Sequence, residues 1–297
     1  MPTRLIDMPS NPSPRKEAQL LQEFYNAFAT HYDSFYELID YEAWAALIQR
    51  ELDEWLPGSR CILEAGCGTG AVLQEIAGDP QQTCIGMDIS RAMLDICQKK
   101  SFVKQRAALV QSDLLSLSFQ EASFDAVLGI FSLLNSYSHA ARGLMLQEIR
   151  HVLKPGGIFL TDFATAHRYH ELRAAAERHE ETSHSEPAFN LHQIFLAEPK
   201  IEPHAQTEVS LHDRFVIDRT LNTNKHTARH RLYFFEAEHL AAEFSAAAFE
   251  ILKIIPLLHH SSAPAPNRLM LIGRKPCSDS TLKSSMNVSR NFVSKTA

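Results

Sequence analysis

Three glycines and three acids are spaced as a nucleoside-binding site requires. Gly66, Gly68 and Gly70 follow an apolar run, Cys61–Leu63, and the acid Glu64; they open a segment with helical apolar spacing at Val72, Leu73 and Ile76. That pattern predicts strand, tight turn, helix. Glycine permits positive φ and close backbone approach, and the turn aims free amide N–H groups at an anion beside the helix N-terminus. Asp88 closes a second apolar run, Thr83–Met87, twenty-four residues after Glu64. An acid there suits ribose hydroxyls. Asp113 follows a third run, Ala107–Val110, and suits the exocyclic amino group of adenine. The glycine loop alone is ambiguous, because Gly66, Gly68 and Ala71 also satisfy the dinucleotide pattern and NAD carries the same ribose.

The elements that must position these residues alternate. A fourth apolar run, Phe124–Phe131, leads to helical spacing from about His139 to Leu153, then Lys154-Pro155-Gly156-Gly157, then the strand Ile158–Phe163. Strand and helix in alternation predict an α/β layer with a parallel sheet. In this order the motifs resemble the class I S-adenosylmethionine (SAM) methyltransferases, whose E/D-x-G-x-G-x-G, strand-end acid, second acid and L-K-P-G-G are matched at every element. The resemblance implies a Rossmann-like, seven-stranded, mostly parallel sheet of order 3-2-1-4-5-7-6 with a reversed final hairpin, and SAM as cofactor. It implies Glu64 near the methionine ammonium, Gly66 and Gly68 under the cofactor, and Asp88 on the ribose with Ile89 beside it. It also implies Asp113 and the Leu114 backbone on the adenine edge, Met93 against the adenine face, and Phe131 as a further cofactor contact. Tyr25–Asp33 resembles the Y-x-x-F-A-x-x-Y-D opening of many small-molecule methyltransferases. Tyr32 would then face the sulfonium, a contact of roughly 0.5–2 kcal/mol, and Asp33 would cap the next helix.

A narrower resemblance covers roughly Tyr25 to Pro276. Phe124-Asp125-Ala126-Val127 through Ile130–Tyr137, Thr161-Asp162-Phe163, Arg231 with Tyr233, and Asn267–Lys275 are similar to a bacterial group acting on small molecules or peptide termini, marked by an F-D-S-L-N-Y segment. Ser132 stands where that group usually has Asp, and His226 and Ala228 replace its E-x-H.

Composition narrows the partners. The chain has 297 residues, 45% hydrophobic and 22% charged, with net charge −6 and its basic residues scattered. The basic face of a nucleic-acid binder is missing. Cys61, Cys67, Cys84, Cys97 and Cys277 form no C-x-x-C pair and no metal-ligand spacing, so reduced thiols, no metal and a cytoplasmic location are expected. No apolar run reaches the ~18 residues of a membrane span. Residues 1–16 read as a flexible leader and 276–297 as a flexible tail. Residues 17–275 read as the methyltransferase domain, with N-terminal helices at Ala18–Thr30 and Tyr41–Trp55 inside 17–57. Oligomeric state, monomer or homodimer, is not set by the sequence.

Between about Arg168 and Tyr233 an insert is expected to cover the cleft, with a short helix at Glu171–Arg178 and antiparallel strands at Ala188–Leu196 and Val209–Ile217. Methyl transfer from an activated sulfonium needs alignment and water exclusion, and at most one base. His139, Tyr137 and Tyr233 are the candidate catalytic residues, with His230 behind them; Asn135 and Arg231 are candidate acceptor contacts, Arg231 through a bidentate clamp. The expected function is SAM-dependent N- or O-methylation of a small molecule. The alternatives are a SAM-binding regulatory or scaffold subunit with a degenerate acceptor pocket, or an NAD(P)-dependent oxidoreductase.

Overall fold

The computed structural model describes residues 11–58, 60–177, 183–186, 189–195, 215–223, 227–257 and 267–277. Helix α1 (Pro14–Phe35) starts where the Ser13 side chain accepts from the Lys16 N–H and Pro14 fills the first turn. Leu21, Phe24 and Phe28 bury one face of it. Helix α2 (Tyr41–Trp55) is capped by Asp40, which accepts from the Ala43 N–H at 2.9 Å. Asp33, expected in that role, is not the cap.

A repeating α/β path follows: β1 (Arg60–Ala65), α3 (Ala71–Ile76), β2 (Gln82–Asp88), α4 (Arg91–Cys97), α5 (Val103–Arg106), β3 (Ala107–Gln111), β4 (Phe124–Gly129), a 3-10 turn (Leu133–Ser136), α6 (His139–Val152) and β5 (Leu153–Ala164). The insert contains α7 (Ala166–Glu177), β6 (Ser183–Glu186), β7 (Phe189–Phe195), β8 (Phe215–Thr223) and β9 (Thr227–Phe234). The chain then closes with α8 (Ala237–Ala246), β10 (Glu250–Pro256) and β11 (Arg268–Arg274).

The main sheet has seven strands in the order β3-β2-β1-β4-β5-β11-β10. Leu63 of β1 lies opposite Ile85 of β2 and Val127 of β4 in parallel register, while β11 runs antiparallel to β5 and β10. This is the expected order, with β10 and β11 as the reversed hairpin. Side chains alternate across the sheet, so Leu63, Val127 and Phe159 pack with α6 and α8, and Ile62, Ala126 and Leu160 pack with α2 and α3. Both faces are covered, as parallel strands require. Each such fully buried side chain contributes roughly 1.5–3 kcal/mol of transfer free energy.

The glycine-proline run after α6 is structural. Lys154 Nζ lies 2.9 Å from both Asp125 carboxylate oxygens, and Asp125 Oδ2 accepts from the Cys61 N–H at 2.8 Å. A Cβ on Gly157 would sit 2.9 Å from two backbone oxygens, so only glycine fits. These contacts tie the N-terminal ends of β1, β4 and β5, opposite the edge where ligands bind in open α/β sheets.

A second, antiparallel sheet of order β6-β7-β8-β9 belongs to the insert. Leu191, Leu221 and Ala228 seat it on Phe24 and Phe28 of α1, and Phe215 and Phe234 pack against Tyr169 of α7. Of the expected Val209–Ile217 strand, residues 215–217 are described, and they open a strand that runs on to Thr223. Ala188, Leu196 and His226 lie outside the described residues. Helix α7 begins five residues before the expected Glu171, and Arg178 is outside the described part.

Candidate active site

The site forms at the C-terminal ends of β1, β2 and β4. Gly66, Gly68 and Gly70 have φ of 69°, 55° and 78°, all left-handed. The turn is closed by Gly70 N–H to the Cys67 carbonyl at 2.8 Å and Cys67 N–H to the Met87 carbonyl at 2.9 Å. A Cβ on Gly66 would collide with Leu133 at 2.8 Å; one on Gly68 would project into open space.

Asp88 is held by the backbone. Gly68 N–H donates to Oδ2 and Ser90 N–H to Oδ1, both at 2.8 Å. A carboxylate has about four acceptor sites, so two remain for a pair of hydroxyls. Burial pushes its carboxyl up to about 6, against the opposing pull of those backbone donors.

Glu64 is only 4% exposed, and its Oε2 has no hydrogen-bond partner among the described residues. Burial raises this carboxyl well above its ordinary range. A buried acid without a counter-charge is costly, and a cationic group placed beside it removes that cost. The residues therefore fit SAM: an acid for an ammonium, an acid for ribose hydroxyls, and the apolar walls Met93 and Leu114 for a base.

Aromatic rings from the two N-terminal helices close the pocket. Tyr25 and Tyr32 come from α1 and Tyr41 opens α2. Burial pushes Tyr25 and Tyr41 up to about 12, and Tyr32 and Tyr137 well above their ordinary range. All four stay neutral phenols near neutral pH, which makes Tyr137 a poor base. The helix α1 is latched over the pocket: Gln22 donates to the Ile89 carbonyl at 2.9 Å, Ser90 to Asn26 at 2.8 Å, and Thr69 to Asp33. The free space is about 70 Å³, below the roughly 300–1,000 Å³ of a small-molecule pocket.

Tyr32, Glu64, Gly66, Gly68, Asp88, Ile89, Met93, Leu114, Phe131 and Tyr137 all border this one pocket. Asp113 stands beside it, its Oδ1 accepting from the Leu115 N–H at 2.9 Å, while its neighbours Ser112 and Leu114 form the wall. Besides Asp113, four expected site residues do not border it. The Asn135 amide is consumed internally, donating to the Ala164 and Tyr233 carbonyls at 2.9 and 2.6 Å and accepting from the Ala164 N–H at 2.8 Å. His139 Nδ1 lies 2.7 Å from Glu243, which also binds Arg142, so this histidine joins α6 to α8. Tyr233 is fully buried beside Val216. Arg231 pairs with Asp218 at 2.8 Å across β8 and β9. These four hold the structure together rather than face the pocket. His230 is also buried, packed against Phe24 and Tyr25, and burial keeps its imidazole well below the usual range.

Sequence reasoning missed the lining residues Tyr25, Tyr41 and Thr69. Tyr25 had a signal, since positions seven apart on a helix share a face with Tyr32. Tyr41 had none.

Phe131 and Ser132 are both left-handed without being glycine, each with φ of 59°. Such residues cost of order 1–3 kcal/mol apiece and persist only where their surroundings fix them. Buried Asp162 does so here, accepting from the Ser132 N–H at 3.2 Å and from Arg268 at 2.7 Å.

Residues 62–157 match the family model described as a methyltransferase domain. Demethylmenaquinone methyltransferase of Symbiobacterium thermophilum is 30% identical over 156 residues, 50% of this chain and 61% of that one. Malonyl-[acyl-carrier protein] O-methyltransferase of Legionella pneumophila is 27% identical over 205 residues, 64% of this chain and 68% of that one. Among solved structures, an S-adenosylmethionine-dependent methyltransferase from Clostridium acetobutylicum superposes with TM-score 0.62 at 17% identity, covering 85% of this chain and 99% of that one. The chain thus spans about three fifths of the first relative, and the structural likeness is one of fold. Among the described residues no group of His, Cys, Asp and Glu is arranged to hold a metal, and no helix is long and apolar enough to cross a membrane.

Proposed function

We propose that this chain, whose residues 62–157 match a methyltransferase domain and whose fold is like that of a SAM-dependent methyltransferase, is a class I SAM-dependent methyltransferase that methylates a nitrogen or oxygen of a small-molecule acceptor. The observation that carries the reading is the convergence of Glu64, the glycine turn and Asp88 on one pocket. Glu64, buried and unpartnered among the described residues, would hold the methionine ammonium, and Asp88 the ribose hydroxyls. When bound, SAM supplies a methyl already activated on sulfur: the acceptor lone pair forms the new bond as the S–CH₃ bond breaks, sulfur keeps that pair as the thioether, and the acceptor's N–H or O–H proton is lost to water.

The chain's own part is alignment and exclusion of water. Tyr32 and Tyr25 line the pocket and bring no charge, since burial keeps them protonated. With the candidate bases engaged in structure or held neutral, the reading assigns no dedicated base to the transfer. The two curated relatives act, by their names, on a quinone precursor and on an acyl carrier protein. The acceptor class is therefore tested directly: the protein is incubated with methyl-tritiated SAM and a metabolite extract split into fractions below and above 3 kDa. Label in the small fraction is expected; label in the protein or nucleic-acid fraction alone would overturn the small-molecule reading.

A further inference from the structure

A second and larger concavity lies on the far side of Phe131, with a volume of about 1330 Å³. Its walls include three segments distant in sequence: Trp44 and Leu47 of α2, Ala174 of α7, and Ile255 of β10. Phe131 borders both spaces, its ring 5.6 Å from Tyr41 on the cofactor side and 5.0 Å from Trp44 on the other. Phe131 stands where the two spaces meet, on a left-handed turn that Asp162 and Arg268 brace.

Most polar groups of this cavity already have partners: Asp40 caps α2 and Arg50 at the rim pairs with Glu51. Arg168 and Asn267 both donate to Glu171, at 3.1 and 3.0 Å, and Arg268 is paired with Asp162. A sugar or an amino acid entering here would give up water for few new partners, which costs binding. An apolar body loses nothing of that kind and gains the transfer free energy of the walls. At the rim, on the segment joining α1 to α2, Leu38 is 95% exposed, one of the two large apolar side chains that stand out of the described surface.

We propose that this cavity receives the methyl acceptor, and that the acceptor is an apolar molecule larger than an amino acid or a sugar, with its amine or hydroxyl presented at the Phe131 end. The proposal rests on the SAM reading above. The acceptor proton leaves to solvent through the open side of the cavity.

The test uses S-adenosylhomocysteine for the first pocket and N-phenyl-1-naphthylamine, a neutral probe that brightens in apolar surroundings, for the second. The wild-type protein saturated with S-adenosylhomocysteine is expected to bind about one probe per chain. Ala174→Trp, which fills the cavity from α7, should weaken the probe at least tenfold and leave S-adenosylhomocysteine affinity within twofold. Ala43→Trp fills it from α2 and serves if the first variant does not fold. Probe affinity unchanged in a folded variant, or no probe bound while S-adenosylhomocysteine binds, would overturn the acceptor cavity and leave the cofactor reading standing. No S-adenosylhomocysteine bound by the wild type would overturn both.

Discussion

The two spaces that share Phe131 are built on opposite terms. The pocket proposed for the cofactor is small, lined by charged and ring side chains, and latched under α1; the cavity proposed for the acceptor is nearly twenty times larger in free volume, mostly apolar and open. The first is made of consecutive strand ends, each bringing one residue whose chemistry the ligand would dictate. The second is made of whatever α2, α7 and β10 leave between them. A fixed set of chemical groups on one side and a shape on the other is the division expected of an enzyme that keeps its cofactor and varies its substrate, since loops and inserts tolerate change that strand ends do not.

The sharpest way to break this contrast is to damage one side only. Gly68→Val places a branched side chain at φ +55° and in the space where the cofactor would lie. Left-handed backbone costs a Cβ-bearing residue about 1–2 kcal/mol, a tolerable loss of stability. Calorimetry should show S-adenosylhomocysteine binding abolished while the thermal transition survives. Asp88→Ala comes next. It removes two hydroxyl acceptors and orphans the Gly68 and Ser90 N–H groups; at about 1.5–3 kcal/mol per charged hydrogen bond, affinity should drop at least about 100-fold.

The pH dependence has a definite sign. Asp88 must be ionised to accept from ribose, and its carboxyl titrates at about 6, so affinity should fall about tenfold per pH unit below that value. Its effect on stability runs the other way. The folded carboxyl is raised above its unfolded value, so this contribution is present below about pH 4 and is lost as pH rises through about 6. Calorimetry and melting curves between pH 5 and 8 separate the two trends. Glu64, raised well above its ordinary range, should release a proton when an ammonium binds beside it. Within that carboxyl's titration range the binding enthalpy should then vary with the ionisation enthalpy of the buffer.

Arg268→Leu tests whether the wall between the pockets is coupled to both. It strips the partner from buried Asp162, a change that costs about 3 kcal/mol when an ion pair loses one member. A lowered melting temperature should appear together with weaker binding in both pockets. The smallest effect is expected from His139→Ala. That histidine braces Glu243 from α6, so transfer rates with any acceptor should stay within twofold while stability falls by about 1 kcal/mol.

The sequence revealed the cofactor side because its constraints are local. Gly66, Gly68 and Asp88 are each fixed by a turn or a strand end a few residues long, and periodicity predicted those elements. The acceptor side depends on tertiary placement. Nothing in the residues around Asn135 says that its amide is consumed by Ala164 and Tyr233, or that Glu243, about a hundred residues on, occupies His139. The Lys154–Gly157 run was legible as a motif and yet lies at the opposite end of the sheet, where it ties β4 and β5 together. A motif can report the fold without touching the site. Phe131 was legible as a residue of the glycine-turn pocket, but its second face was not, because Trp44 and Ile255 come from segments that only the folded chain brings near it.

The central claim is that Glu64, the glycine turn and Asp88 form a SAM site. It is tested most directly by titrating the wild-type protein with S-adenosylhomocysteine by isothermal calorimetry, with NADH as the comparison ligand. The account predicts one S-adenosylhomocysteine per chain at micromolar affinity and no NADH. Absence of S-adenosylhomocysteine binding, or NADH binding in its place, would contradict it.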